Sequence, residues 1–171
     1  MDRDAVHRWQ NAYDAAGIQP NAAPPLALLK LVVQADHVVA STMHRAVASA
    51  ERLAPGRHIR QSDLLREAPL PIPEWPTRLP FLGWSLARHL AWAYQIRRGL
   101  DASERERARA SDAATMLTGI AADGSTVLVV THGVFRPLVG RELIDRGWRI
   151  LNRRGGYRHW SAWSFAGPDT P

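Results

Sequence analysis

Residues 126–148, T-V-L-V-V-T-H-G-V-F-R-P-L-V-G-R-E-L-I-D-R-G-W, contain the features that decide the fold. The first five residues are a β-branched and aliphatic run after Asp123-Gly124-Ser125, which predicts a short strand buried on both faces. From residue 134 to residue 144 the apolar side chains recur at helical spacing, and Gly147 marks the end of a helix. His132 therefore lies where a parallel strand passes into a helix, the end of an open α/β sheet at which ligands bind.

Three other segments predict strands. Residues 35–41, A-D-H-V-V-A-S, form a second short apolar run, and residues 58–61 are typical of a brief edge strand. Residues 157–165 alternate in the manner of a strand, and residues 152–156 before them predict a turn. Together with the intervening helices, these segments predict an α/β fold with three layers, in which a mostly parallel central sheet has helices on both faces.

Helical spacing of apolar residues predicts helices at residues 4–16, 24–34, 43–53, 81–99 and 103–121. In the last of these, Ser103 followed by Glu106 indicates a capping box, and Arg105, Arg107 and Arg109 are expected on a solvated face. The proline-rich residues 69–80 predict an ordered crossing loop, because prolines are excluded from central strands and helix interiors. Its apolar anchors are expected to be Leu70, Ile72 and Trp75.

Composition bounds the class of protein. A length of 171 residues predicts a single domain, residues 1–171, and the absence of cysteine excludes disulfides and thiolate metal sites. The N-terminus lacks an apolar signal core and no apolar run approaches membrane-spanning length, so we expect a cytoplasmic protein with no membrane partner. Most of the seven tryptophans are expected in the core or the wall of a cleft.

The formal net charge of +6 comes almost wholly from arginine, since Lys30 is the only lysine. The guanidinium group suits phosphate and carboxylate, which points to an anionic ligand. The alternative is that a GC-rich coding sequence uses arginine in place of lysine. Nucleic acid binding depends on the arginine count alone, and we do not expect it.

Chemistry-bearing residues occur in three segments, S-T-M-H-R-A-V-A-S-A from residue 41, L-L-R-E from residue 64 and T-H-G from residue 131. Because two strand-to-helix junctions of a parallel sheet open on the same edge, Arg45 and His132 are expected to converge. An arginine, an imidazole and a protonated carboxyl such as Glu67 are the groups that phosphoryl transfer requires. No ligand spacing for a metal is found near His132, so we expect neither a metal nor a cofactor.

Taken in order, these segments resemble the histidine phosphatase superfamily, also called phosphoglycerate mutase-like, over residues 35–165. The resemblance implies that Arg45 binds the phosphoryl group, that His132 is the second active-site histidine, and that Glu67 donates the proton. It implies phosphomonoester hydrolysis through a phosphohistidine, with a phosphorylated small molecule as substrate. The alternative is a catalytically inactive member of the same fold that binds a phosphorylated ligand or another protein.

The family's nucleophilic histidine lies in an Arg-His-Gly motif after the first strand, and no Arg-His-Gly occurs in this sequence. The domain is therefore expected to be N-terminally incomplete relative to the family and to hydrolyse weakly or not at all. A start codon placed too late, a gene or expressed fragment lacking its front end, and a true loss of the chemistry remain open. The absence of an interior strand would expose sheet edges, so a homodimer or a partner chain covering the sheet is expected.

Each site residue also has an ordinary interpretation. His132 could be a core histidine bonded to a backbone carbonyl, Arg45 a helix-surface arginine, and Glu67 a solvated residue before a loop. His44 is expected to face solvent and His159 to pack on a strand.

Overall fold

The computed structural model describes residues 1–75, 78–98, 101–156 and 158–168, and their fold is α/β. The helices are α1 (Arg3–Ala15), α2 (Leu26–Val32), α3 (His44–Leu53), α4 (Phe81–Arg98), α5 (Asp101–Ile120) and α6 (Phe135–Asp145). The strands are β1 (His37–Ser41), β2 (Ile59–Ser62), β3 (Val127–Val130), β4 (Arg149–Arg154) and β5 (Ala162–Ala166). A single 3₁₀ turn, Asp63–Leu65, follows β2 within the described ranges.

Three of the strands form a parallel sheet in the order β2-β1-β3. Successive side chains of a strand point to opposite faces. Val39 of β1 accordingly joins a core cluster with α5 and α6, whereas Val38 and Ala40 join a cluster with α2 and α3. The prediction of a parallel sheet with helices on both faces is therefore confirmed for these three strands.

Strand β3 forms one edge of this sheet. It pairs with β1 only, in the register Val38 to Leu128, and no backbone hydrogen bond joins its outer edge to another strand of the described residues. Its side chains alternate between the two clusters, yet all four residues are only half-buried. The prediction of a strand covered on both faces is confirmed, but full burial was wrong, because an edge strand keeps one side open.

The remaining two strands form a separate antiparallel hairpin, β4–β5. Strand β4 was missed, and residues 152–156 do not simply turn the chain, since Arg149–Arg154 is a strand. The predicted strand at residues 157–165 was placed too early. Residues 158–161 form a turn in which Trp160 has a φ of 59°, and β5 begins only at Ala162; Tyr157 lies outside the described residues.

Most predicted helices begin and end within a few residues of the observed ones. Helix α6 ends as predicted, with Gly147 at a φ of 86° and the Trp148 N–H donating to the Leu143 carbonyl. The capping box was wrong. Helix α5 already begins at Asp101, and Ser103 is buried with its hydroxyl donating to the Gln95 carbonyl of α4 at 3.1 Å.

The segment between the 3₁₀ turn and α4 was predicted as an irregular crossing loop, and its described part is irregular. The prediction of which apolar side chains anchor it was only partly correct. Leu70 packs against the larger core cluster, whereas Trp75 is exposed. Two of the tryptophans, Trp84 and Trp92, are buried in the inner face of α4. None of the described helices combines the length and the apolar character that crossing a bilayer requires.

Candidate functional site

The carboxyl ends of β1 and β3 meet at one edge of the sheet, where a hydrogen bond joins them. His132 Nε2 lies 2.8 Å from Ser41 Oγ, and the Met43 N–H donates to the same oxygen at 3.2 Å. Ser41 is fully buried and His132 is 8% exposed. The two strand-to-helix junctions that the sequence singled out therefore converge. His132 is bonded to a side chain of the other junction, and within the part of the chain that the structure describes it makes no hydrogen bond to a backbone carbonyl.

His132 is held in its neutral form. Burial lowers the pKa of its imidazole to about 4, and the positive charge of Arg45 adds to this effect, with smaller contributions from Arg66 and Arg109. Only Asp14, which favours the charged form, opposes them among the groups that act most strongly. At neutral pH the ring consequently offers one N–H donor and one acceptor nitrogen.

Arg45 lies in the first turn of α3 and is held by α1. Its Nη1 donates to the Tyr13 carbonyl at 3.2 Å and to Asp14 Oδ1 at 3.3 Å, and its guanidinium carbon lies 4.5 Å from the centre of the Tyr13 ring. The side chain is 12% exposed. It is therefore not an ordinary helix-surface arginine, and an incoming anion has to share this guanidinium with Asp14 or displace it.

Glu67 caps the N-terminus of α6. Its Oε1 accepts hydrogen bonds from the backbone N–H groups of Ala68 at 3.1 Å, Val134 at 3.2 Å and Phe135 at 3.0 Å. Burial raises the pKa of the Glu67 carboxyl, although these hydrogen bonds and the charge of Arg45 act to lower it. The alternative of a solvated glutamate before a loop is wrong, because the half-buried carboxyl accepts three backbone N–H groups at a helix end.

Neither protein-family models, curated proteins nor solved structures gave a match to this chain.

Two arginines beside the site were not assigned to it from the sequence. Arg66 Nη1 donates to Thr42 Oγ1 at 3.1 Å, and its side chain is half exposed. Arg109 Nη1 donates to the carbonyls of Leu64 at 3.0 Å and Arg66 at 2.7 Å. The expected solvated face was therefore wrong for Arg109, which fixes the segment that carries Glu67.

The signals for these two arginines differ. Arg66 stands inside the L-L-R-E segment and could have been found by its position next to Glu67. Arg109 could not, because it alternates with Arg105 and Arg107 in a segment that resembles a solvated helix face. Its guanidinium carbon lies 3.8 Å from the centre of the Phe135 ring, a contact that depends on the packing of α5 against α6.

The other histidines do not join the site. His44 is exposed, as predicted. His159 is also exposed and lies in the turn before β5, so the expectation that it packs on a strand was wrong. Across the described ranges, no cluster of three or more histidine, aspartate or glutamate side chains has the geometry to hold a metal ion.

A pocket of about 260 Å³ lies at the opposite, amino-terminal end of the sheet. Residues at the start of β1 and around the start of β2, among them His37, Arg57, His58 and Arg60, line it together with Ile120 of α5. His132 and Glu67 are not among its lining residues. The pocket is therefore distinct from the cluster at the carboxyl ends of the strands.

Proposed function

We propose that this chain is a histidine-phosphatase-like domain that binds a phosphate ester at the carboxyl ends of β1 and β3, between Arg45 and His132. The main support is the hydrogen bond of buried His132 to Ser41, where burial first and the charge of nearby guanidinium groups second lower the pKa of the imidazole. A phosphate dianion in this region would meet the guanidinium of Arg45, which is shared with Asp14, and an N–H donor. Charge-assisted hydrogen bonds of this kind are the strong ones in proteins.

Each group has a role in binding or transfer. The Arg45 guanidinium would contact the phosphate oxygens as Asp14 gives way, and the imidazole of His132 would donate its N–H to another oxygen. Arg66, half exposed beside Thr42, would add a second cation at the entrance. Glu67, whose pKa is raised by burial, would supply a proton to the oxygen of the leaving group.

Hydrolysis requires a nucleophile that this sequence does not supply in an Arg-His-Gly motif. If a segment before residue 1 carries that motif, its histidine would attack phosphorus, the ester oxygen would leave with a proton from Glu67, and water would hydrolyse the phosphohistidine. Such a segment could pair with the outer edge of β3, which has no strand partner among the described residues. No metal takes part in this scheme.

The competing proposal is a member of the same fold that binds a phosphorylated ligand, or another protein, without turnover. The arrangement of Arg45 and Asp14 favours it, because the guanidinium is already paired and no Arg-His-Gly motif occurs among these 171 residues. Reading the coding sequence upstream of Met1 for an in-frame Arg-His-Gly separates the two. Its presence supports the phosphatase, and a stop codon directly upstream supports the binder.

Binding itself is tested by titrating phenyl phosphate and inorganic phosphate into the protein by calorimetry. Arg45→Ala and His132→Gln should each weaken binding by about 10–100-fold, since a hydrogen bond to a charged group contributes roughly 1.5–3 kcal/mol. Arg52→Ala is the matched control. Arg52 lies on the same helix and donates to the carbonyls of Gln19, Pro20 and Ala22, so its loss disturbs the packing of α3 against the segment after α1 without removing a site group.

The proposal fails if wild-type protein binds neither ligand, or if Arg45→Ala binds as tightly as wild type. It also fails if Arg52→Ala loses binding to the same extent as Arg45→Ala, because the effect would then be structural.

A further inference from the structure

Helix α4 has apolar side chains on two opposite faces. The inner face carries Trp84 and Trp92, which are buried. The outer face carries four large side chains spaced four residues apart, which are exposed by 78% at Leu82, 62% at Leu86, 61% at Leu90 and 57% at Tyr94. An exposed apolar row of this length marks an interaction surface, so the outer face of α4 is expected to be buried in the assembled protein.

We propose that a second copy of this chain covers the outer face of α4, with the two α4 helices crossing in an antiparallel sense near Leu86. Residues four apart form a continuous ridge on a helix, and two such ridges interdigitate in the commonest class of helix packing, at an angle of about 50°. A two-fold axis near Leu86 places Leu82 of one copy against Leu90 of the other. The row is thus complementary to itself.

The exposed area agrees with the needs of a dimer. At roughly 200 Å² for a fully exposed large side chain, the four residues of the row offer about 500 Å² per copy. Two copies would therefore bury about 1,000 Å² in total, which is the least area expected of a specific protein interface.

The distribution of charge favours an apolar partner and the antiparallel sense. Between Leu82 and Ile96 the one arginine, Arg88, is buried on the inner side. A cation reaches the outer face at its carboxyl end, where the guanidinium carbon of Arg98 lies 5.6 Å from the centre of the Tyr94 ring. A row that is apolar up to this end offers little to an acidic or nucleic acid partner. Arg97 and Arg98 stand together at the carboxyl end of α4. A parallel pair would bring these four arginines together, whereas an antiparallel pair keeps them apart.

The test is the molar mass in solution, measured by light scattering and sedimentation velocity at about 5–100 μM. Wild type should be a dimer, and Leu86→Arg should raise the dissociation constant by at least 100-fold. Leu151→Arg is the matched control, because Leu151 on β4 is also 62% exposed but lies away from α4. It should remain dimeric.

A cross-linking experiment tests the same geometry without depending on the folding of a charged variant. Because the chain has no cysteine, Leu86→Cys introduces a single thiol that lies close to its symmetry mate at a two-fold axis. Mild oxidation should yield a covalent dimer that keeps phosphate binding, whereas Leu151→Cys should stay monomeric on a denaturing gel.

Three results would overturn the inference. The first is a monomeric wild type over the whole concentration range. The second is a dimer that survives Leu86→Arg but is abolished by Val129→Pro, which would place the interface at the open edge of β3. The third is a monomer that binds lipid vesicles through Leu86, in which case a lipid surface covers α4. None of these outcomes bears on phosphate binding, so this inference and the proposed function fail separately.

Discussion

Replacing Glu67 tests whether this residue is needed as an acceptor at the end of a helix. Glu67→Ala leaves the N–H groups of Ala68, Val134 and Phe135 without their shared acceptor. Loss of a helix cap costs about 0.5–2 kcal/mol. A buried donor left unsatisfied costs about 1–3 kcal/mol. These groups are partly buried, so water recovers some of the loss, and we expect Glu67→Ala to lower the free energy of unfolding by about 3 kcal/mol.

Glu67→Gln separates the acceptor from the charge. The amide oxygen accepts the same N–H groups, and the charge that is lost is one that burial disfavours, since burial raises the pKa of the carboxyl. We therefore expect Glu67→Gln to lie within about 1 kcal/mol of wild type at pH 7. By contrast, the 3 kcal/mol loss in Glu67→Ala corresponds to a fall in Tm of about 6–12 °C for a chain of this size.

The pH dependence has a definite sign. A carboxyl whose pKa is higher in the folded state contributes stability that is fully present below its unfolded pKa and is lost as the pH rises through its folded pKa. Wild type should therefore gain stability relative to Glu67→Gln as the pH is lowered from 7 towards 4. Urea unfolding followed by tryptophan fluorescence measures both comparisons. Equal stability of Glu67→Ala and wild type, or equal losses in the alanine and glutamine variants, would refute the capping role.

Two further predictions concern the site and the packing. His132 has a folded pKa of about 4 against 6.5 for the free side chain, so the free energy of unfolding should fall by on the order of 3 kcal/mol as the pH is lowered from 6.5 to 4. Urea unfolding between pH 7 and 4 should show that His132→Gln lacks this loss. A His132→Gln variant with the same pH profile as wild type would contradict the prediction. A Cβ on Gly140 would lie 3.0 Å from Trp163 and 3.2 Å from Phe165, whereas one on Gly119 would meet nothing within 4 Å. Thermal unfolding should show that Gly140→Ala is destabilised by about 1 kcal/mol or more through overpacking. Gly119→Ala should be stabilised by about 0.5–1 kcal/mol. A stabilised Gly140→Ala would show that the β4–β5 hairpin does not pack against α6 as described.

The parallel sheet could be predicted because its strands have local signatures. Residues 37–41 and 127–130 are short apolar runs bounded by turn residues, and each is followed by a helical pattern. These patterns also fix which edge of the sheet His132 and Arg45 share, since the carboxyl ends of parallel strands lie together. The two junctions then converge because β1 and β3 are neighbours in the sheet, a pairing that local sequence does not specify.

The hairpin could not be predicted in the same way. Strand β4, R-I-L-N-R-R, lacks apolar alternation, and five of its six residues are exposed. Its conformation is set by pairing with β5, whose Trp163 packs on Gly140 and beneath the guanidinium groups of Arg136 and Arg153. A strand whose conformation depends on such long-range contacts need not show an alternation of apolar and polar residues in its sequence.

The partners of the site residues were also beyond the sequence. The pairing of Arg45 with Asp14 and Tyr13 depends on how α1 packs against α3, across about thirty residues of chain. Likewise, Glu67 reaches the N-terminus of α6 only because the chain after β2 crosses the end of β3, where Thr131 Oγ1 donates to the Leu65 carbonyl at 2.9 Å. The motifs in the sequence identified Arg45 and Glu67 as candidates, but the contacts of each side chain depend on tertiary packing.

The capping of α6 by Glu67 constrains how an anion could bind here. The N-terminus of a helix is a common site for phosphate because its free N–H groups point outward, but in this chain the N–H groups of Val134 and Phe135 already donate to Glu67. A phosphate ester would therefore depend on side chains for most of its contacts, chiefly on Arg45. A carboxyl with a raised pKa tolerates a neighbouring anion by taking up a proton, whereas an ionised one would repel it. The contact that completes the helix thus leaves beside the proposed site a carboxyl that takes up a proton more readily than a free glutamate does.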